Sequence, residues 1–325
     1  MRHFDLMPGG RTSIEDVRTR PVFSAGARCF TWNDVIEAAH ARGDWEALQR
    51  DVLALLARER DLSATNALPS GSEVDAAAKD FRYTQNLLTA DELSEWLDHC
   101  GLSVDEWLAE LRRSLFRSAE PEPVAVPPDV LERASWVHAV CSGRLAEYAR
   151  TFAEEIAVQL TGQLQPPASE QLVAMADVRR RFCEAQLDEA ALEGEVRNNN
   201  IGWTRLDLQY FTHHDEMVLR EAALCVQLDG RELADVANDA GAESWEASVL
   251  LVDVPPTLQT RLLAASVGQL IGPLAAEAGH QLILLMRRRS PTVDDPVVRR
   301  RAEQTIIERA LRAAVNRHVR WHEHL

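Results

Sequence analysis

Hydrophobic positions recur at helical spacing along most of this chain and give way to short strand-like apolar runs between Leu206 and Met286. The first such run is Leu206-Asp207-Leu208-Gln209-Tyr210-Phe211. A helix is expected over residues 214–227, with Leu219, Ala222, Ala223 and Val226 on one face. Asp229-Gly230 then turns the chain into a second short helix over 231–240, with Leu233, Val236 and Ala237 inside. Val249-Leu250-Leu251-Val252 reads as a second strand, and Pro255-Pro256 opens a third helix over 257–265. Gly268-Gln269-Leu270-Ile271-Gly272-Pro273-Leu274 follows. A turn at Glu277-Ala278-Gly279-His280 leads to the apolar strand Gln281-Leu282-Ile283-Leu284-Leu285-Met286. Strand, helix, helix, strand, helix, strand, strand is a complete domain's worth of elements.

Upstream the pattern is helical. Residues 31–42 and 44–60 read as two helices split by Gly43, the second with Trp45, Leu48, Val52 and Leu55 on one stripe. Residues 61–72 read as a loop. Thr89-Ala90-Asp91-Glu92 and Ser103-Val104-Asp105-Glu106 are capping boxes, in which hydroxyl and carboxylate satisfy the helix's free amides reciprocally. They open two short helices, the first closed by Gly101. Trp96 and Trp107 in them are expected in the core. Residues 119–128 are proline-rich, a stiff extended connector. Residues 130–160 and 169–187 return to helical spacing, broken at Gly143 and Pro166-Pro167. Residues 296–318 form one more helix, with Val298, Ala302, Ile306, Ala310, Ala313 and Ala314 inward.

The element order between Leu206 and Arg289, with G-x-x-x-G-P ahead of a glycine turn and a closing apolar strand, resembles the parvulin (PpiC-type rotamase) domain of peptidyl-prolyl isomerases. The likeness is carried by Gly268-Gln269-Leu270-Ile271-Gly272-Pro273-Leu274 and Gly279-His280-Gln281-Leu282-Ile283. It implies a small four-stranded sheet. It also implies that the family's two site histidines fall on Gln209 and Gln281, with His280 in play after a one-residue slip. The substrate-binding residues it implies are Tyr210, Asp253, Val254, Leu258 and Leu263. Asp253 is expected either to orient a substrate's positive group or to cap the following helix.

A helical region ahead of such a domain and a returning helix behind it resemble SurA-type chaperones. The tandem capped helices resemble the cytoplasmic branch linked to maturation of ribosomally made peptides. The expected fold class is α+β: a mostly helical SurA-like domain plus the parvulin-like sheet domain. The expected parts are a tail over 1–20, a helical region over 21–118, a linker over 119–129, a helical region over 130–197, the parvulin-like domain over 198–292, and a C-terminal helix over 293–325 that packs back on the helical region.

Charge removes some partners. A net charge of −16 argues against nucleic acid, whose affinity comes largely from phosphate neutralisation. The arginine runs at 179–181, 287–289 and 299–301 are expected as solvated element ends or contacts to an acidic peptide. No apolar run approaches a membrane span, and the first 25 residues lack a signal-peptide core, so a cytoplasmic location is expected. Five scattered cysteines read as reduced thiols. His318 and His322 are expected on a frayed terminus rather than as zinc ligands. At His213-His214-Asp215-Glu216 the acids are expected to favour a helix N-terminus, and neither metal nor cofactor is expected. Three readings stay open: a peptide-binding chaperone or maturation factor for extended or precursor peptides with a degenerate rotamase domain, an active isomerase, and a non-catalytic partner of peptide-modifying enzymes.

Overall fold

The computed structural model describes residues 13–116, 125–162, 172–276 and 278–322. It divides into two compact units, one made of Met1–Glu184 with Ala310–Leu325, the other of Ala185–Arg309. The architecture is α+β, with two small antiparallel sheets among many helices. No helix among the described residues is long and apolar enough to cross a membrane.

The first unit begins earlier than the expected tail allows. Ser13 caps the helix α1 (Ile14–Arg18) in a capping box, and Ile14 and Val17 are buried, so residues 13–18 are helix rather than tail. A hairpin follows, β1 (Pro21–Ala25) and β2 (Arg28–Thr31), then α2 (Trp32–Arg42) and α3 (Asp44–Ala64) split at left-handed Gly43. Much of the expected loop over 61–72 is helical instead: α3 runs on to Ala64, and α4 (Gly71–Thr84) starts under a Ser70–Glu73 capping box. The two boxes read at Thr89 and Ser103 open α5 (Ala90–Cys100) and α6 (Val104–Ser114). Pro127 caps α7 (Pro128–Cys141), Gly143 separates it from α8 (Arg144–Thr161), and α9 (Leu172–Glu184) completes the helices. The linker from 117 to 124 and Pro166-Pro167 lie outside the described residues.

Residues 319–322 are paired rather than frayed. Val319–Trp321 forms β7, which adds to β1 so that the sheet runs β2-β1-β7. The His322 amide donates to the Val22 carbonyl at 2.9 Å, and His322 Nε2 lies 2.8 Å from Ser24 Oγ. Phe23 anchors this sheet on the core, packed against Phe30, Phe152 and Trp321 at centroid distances of 4.9, 5.6 and 5.4 Å. Trp107 is buried in the same core, and Trp96 packs on Phe81 at 5.4 Å.

The second unit opens with α10 (Glu189–Asn198) and then runs β3 (Arg205–His213), α11 (Glu216–Asp229), α12 (Leu233–Asp239), β4 (Ser244–Leu250), a 3-10 turn at Leu251–Asp253, α13 (Pro256–Ala264), β5 (Leu270–Ala276) and β6 (Gly279–Arg289). The second strand lies earlier than its most apolar residues suggest, because β4 is an edge strand with one polar face. All four strands pair antiparallel in the order β4-β3-β6-β5. The helix α14 (Pro296–His318) belongs to this unit up to Arg309. Here Val298 and Ala302 are buried beside Leu192, Val196 and Trp203. Ala313, expected inward, is exposed, and Leu311 is buried in its place.

Candidate functional site

Strand alternation gives the β4-β3-β6-β5 sheet two faces of different character. One face carries Leu206, Leu208, Ile271, Ile283 and Leu285 under Leu251, Val254, Leu262 and Ala265, with Tyr210, Val249, Leu258 and Leu274 half-buried at the margin. The other carries Phe211, Leu270, Leu282 and Leu284 under α11 and α12, through Leu219, Ala222, Leu233, Val236 and Ala237.

The register sorts the expected site residues between these faces. Gln209 stands opposite Leu284 and next to Phe211, so it lies on the α11 and α12 side. Gln281 stands opposite Thr212 on β3 and Leu274 on β5, so it lies on the α13 side. The two glutamines therefore do not share a hollow, and the expected pair is corrected. Cross-strand partners lie on one face, and these two are an odd number of positions apart in the ladder. His280 pairs with His213 on the same face as Gln209, with its Nε2 3.8 Å from Glu216 Oε2 on α11. It is not an alternative partner for Gln281.

Tyr210, Val254, Leu258 and Gln281 are brought together on the α13 face. Leu263 is not: Leu258 and Leu262 are one turn apart on the inner side of α13, and Leu263 points outward at 46% exposure. Asp253 neither caps α13, whose N-cap is Pro255, nor faces the sheet, but accepts from Arg301 Nη2 at 2.7 Å. Two residues missed in the sequence complete the face. Thr212 stands opposite Gln281, and half-exposed Trp245 stands opposite Tyr210 on β4. Trp245, Tyr210, Ile283 and Ile271 thus form one row across four strands, beside a second row of Thr212, Gln281 and Leu274.

Local chemistry holds α13 over this face. Arg288 Nη2 donates to the carbonyls of Leu262 at 2.6 Å and Ala265 at 2.9 Å, satisfying the helix C-terminus with a positive charge. At the other end Gln259 Nε2 donates to the Val254 carbonyl at 2.6 Å. The run at 287–289 is exposed at the strand's end, as expected, and Arg289 also pairs with Asp207 at 2.7 Å. The other runs are likewise engaged: Arg179 with Glu154, Arg299 with Glu189 and Glu303, and Arg301 with Asp253.

The glycines flanking Gln281 fit closely. Gly272 has φ +126°, and a methyl group there would sit 2.6 Å from the Gln281 carbonyl oxygen. Gly279 has φ +118° and would meet the His213 carbonyl oxygen at 2.7 Å. Both let neighbouring backbones approach where any side chain would collide.

Chemically the α13 face is apolar at its centre, amide- or hydroxyl-bearing at one end, and carries at the other the Arg288 guanidinium, already committed to the α13 carbonyls. Neither His213 nor His280 lies on it. Its centre is packed under α13, so what it offers a ligand is the margin: Tyr210, Leu258, Leu274 and Trp245 for apolar contact, Thr212 and Gln281 for hydrogen bonds. At the β3–α11 corner, Asp215 accepts from the Met217 amide at 2.8 Å as the helix N-cap. Among the described residues no group of three His, Cys, Asp or Glu side chains converges to hold a metal ion.

A larger hollow, about 660 Å³, lies in the first unit, lined by Arg18, Asp98, Glu106, Asp129, Glu132 and Arg133 among others. Its arginines are already engaged. Arg133 binds Glu106 through two hydrogen bonds at 2.6 and 2.7 Å, and Arg18 pairs with Glu132. The Arg133 guanidinium holds the Glu106 carboxyl down to about 2, against partial burial.

No family model matches the chain, and no curated protein matches it. Among solved structures it is similar to the foldase protein PrsA from Streptococcus pneumoniae, at 12% identity over 91% of each chain with a TM-score of 0.27. It is also similar to a peptidylprolyl isomerase (PrsA) from Bacillus cereus, at 11% identity over 92% of each chain with a TM-score of 0.28. A SurA-like chaperone from Campylobacter jejuni matches at 10% identity, over 94% of this chain and 100% of that one, with a TM-score of 0.22. At TM-scores this low, such likeness carries no inference about activity.

Proposed function

We propose that the second unit is a degenerate parvulin-like domain that binds extended peptide without isomerising it, and that the protein acts as a peptide-holding chaperone. One observation carries this reading. The α13 face keeps an apolar centre with an amide and a hydroxyl at its rim, and both nearby imidazoles, His213 and His280, belong to the opposite face. Turning an X–Pro bond means crossing a barrier of ~18–20 kcal/mol. Holding a chain needs only apolar area and backbone hydrogen bonds, for which the accessible margin at Tyr210, Leu258, Leu274 and Trp245 is the candidate surface.

A precursor peptide awaiting modification is the narrower client under this reading, with peptide-modifying enzymes as partners. The thiols of Cys29, Cys141, Cys183 and Cys225, none of them in a disulfide, support a reducing, cytoplasmic setting.

The test pairs two assays on the full chain. Anisotropy with a labelled unfolded peptide should show binding that weakens about tenfold in Leu258→Ser, for the loss of one apolar anchor. A proline-peptide isomerisation assay should show no acceleration over the uncatalysed rate. Acceleration that disappears in Gln281→Ala would refute the non-catalytic reading, and the active isomerase would replace it.

A further inference from the structure

The two edges of the β4-β3-β6-β5 sheet are built differently. At the β5 edge, Gly272-Pro273 and a register shift between Ile271 and Leu274 break the line of backbone groups. A proline without an N–H and a bulge are standard protections against unwanted strand pairing. The β4 edge has neither. Its seven residues, Ser244–Leu250, pair with β3 in unbroken register and contain no proline, lysine or arginine. Among the described residues no backbone hydrogen bond reaches the outer side of this strand between Ser244 and Val249.

The side chains along that edge sort by period two. Trp245, Ala247 and Val249 point to the α13 face, continuing the rows that start at Tyr210 and Leu206. Ser244, Glu246 and Ser248 point the other way, and Glu243 precedes them. Of these two acids only Glu246 shares the side of Ser244 and Ser248; it is exposed, and among the described residues it forms no ion pair. On their side a hollow of about 470 Å³ opens beside the strand, lined by Asp207, Glu246, Ser248, Met286 and Arg287 among others. Arg287 is 69% exposed and 4.0 Å from Asp207.

We infer that β4 is a docking edge on which an extended peptide of alternating apolar and basic residues adds as a fifth antiparallel strand. Main-chain hydrogen bonds supply the affinity common to any sequence, and alternate side chains supply the choice. Apolar residues of the incoming strand lie beside Trp245, Ala247 and Val249. Basic residues lie beside Glu246, at the rim of the hollow. A second copy of this chain is the poorer occupant, because antiparallel pairing of two β4 edges would put both copies' Glu246 on one face of the joined sheet and bring no basic residue to either. This inference rests on the proposed peptide-holding function and specifies which client that function selects.

The experiment uses the full chain and two synthetic peptides matched to the length of β4, one alternating valine with lysine, the other valine with glutamate. Binding is read by anisotropy, and amide hydrogen exchange locates it. The expected result is that the lysine peptide binds about tenfold tighter, protects amides within Ser244–Leu250 and leaves β5 unchanged. Glu246→Lys, at an exposed position, should reverse the preference. Binding of both peptides with protection confined to α13 and the Gln281 end of β6 would overturn strand addition and leave the holding function standing. Equal affinity for the two peptides, with β4 protected, would overturn the basic client. Protection of β4 that grows with protein concentration in the absence of peptide would overturn the peptide as occupant in favour of a second copy. Binding of no extended peptide at all would remove the holding function and this inference with it.

Discussion

Replacing Gly272 with alanine separates the cost of an unusual backbone angle from the cost of close approach. At φ +126° an L-residue is strained by about 1–3 kcal/mol. The new methyl group also meets the Gln281 carbonyl oxygen at 2.6 Å and the Leu274 amide nitrogen at 3.2 Å. These are backbone atoms of paired strands and cannot swing aside as a side-chain end would. Relieving the overlap by moving β5 from β6 adds about 1–3 kcal/mol, the usual cost of overpacking. The control is Gly143→Ala, at φ +77° with nothing within 4 Å of the added methyl, which carries strain alone. Urea unfolding of the full chain, followed by hydrogen exchange of β5 and β6 amides, reads the difference. Gly272→Ala should lower the opening free energy of β6 by about 2–6 kcal/mol. Gly143→Ala should cost about 1–2 kcal/mol in the first unit. Equal costs for the two variants would refute the claim that β5 and β6 require a side-chain-free crossing beside Gln281.

The order of elements in the second unit was legible because each carries its own local signal: proline at the start of α13, glycine after α11, and an unbroken apolar run in β6. The phase of that last run was not legible. On β3, Leu206, Leu208 and Tyr210 alternate with Asp207 and Gln209, which already places Gln209 off the apolar face. On β6, Leu282, Ile283, Leu284 and Leu285 are apolar on both faces, so the sequence does not say which face Gln281 shares. The register also shifts opposite Asp207 and Leu208. A slip of one residue moves every side chain to the other face, so the pair that the resemblance implies, Gln209 with Gln281, sets residues of opposite faces together. In the first unit α4 was missed because only Val74 is fully buried along it, leaving little helical periodicity to read. β7 was missed for a different reason. Three residues show no period, and their partner Phe23 lies near the opposite end of the sequence. Trp245 was passed over because its significance comes from standing opposite Tyr210, which only the ladder reveals.

Leu262→Ala should destabilise the second unit by about 2–5 kcal/mol, because its side chain is fully buried between α13 and the sheet. Thermal unfolding monitored by hydrogen exchange checks it, and a cost below that of exposed Leu263→Ala would contradict the assigned face. Arg288→Ala should loosen α13 by about 1–2 kcal/mol through its freed C-terminal carbonyls, seen as faster exchange in α13 with β3 unchanged. The acid limb of stability should depend on Glu106. Its carboxyl is held near 2 in the fold by hydrogen bonds from Arg133 and Ser103, against an ordinary value of 4.5. A depressed carboxyl contributes stability that is fully present above its unfolded value and is lost as pH falls from about 4.5 towards 2. Fully shielded, that shift would be worth about 3 kcal/mol. Solvent reaches both partners, with side-chain exposures of 31% and 35%, and screening reduces the contribution to about 1 kcal/mol. Glu155 works in the opposite sense, because burial raises its carboxyl despite Arg42, so falling pH relieves an unfavourable charge there. Urea titrations at stepped pH should therefore show Glu106→Gln less stable than the parent at neutral pH and equal to it near pH 2. If the two proteins differ by the same amount across that window, Glu106 does not carry the acid sensitivity, and the paired carboxylates of the first-unit hollow do not govern it.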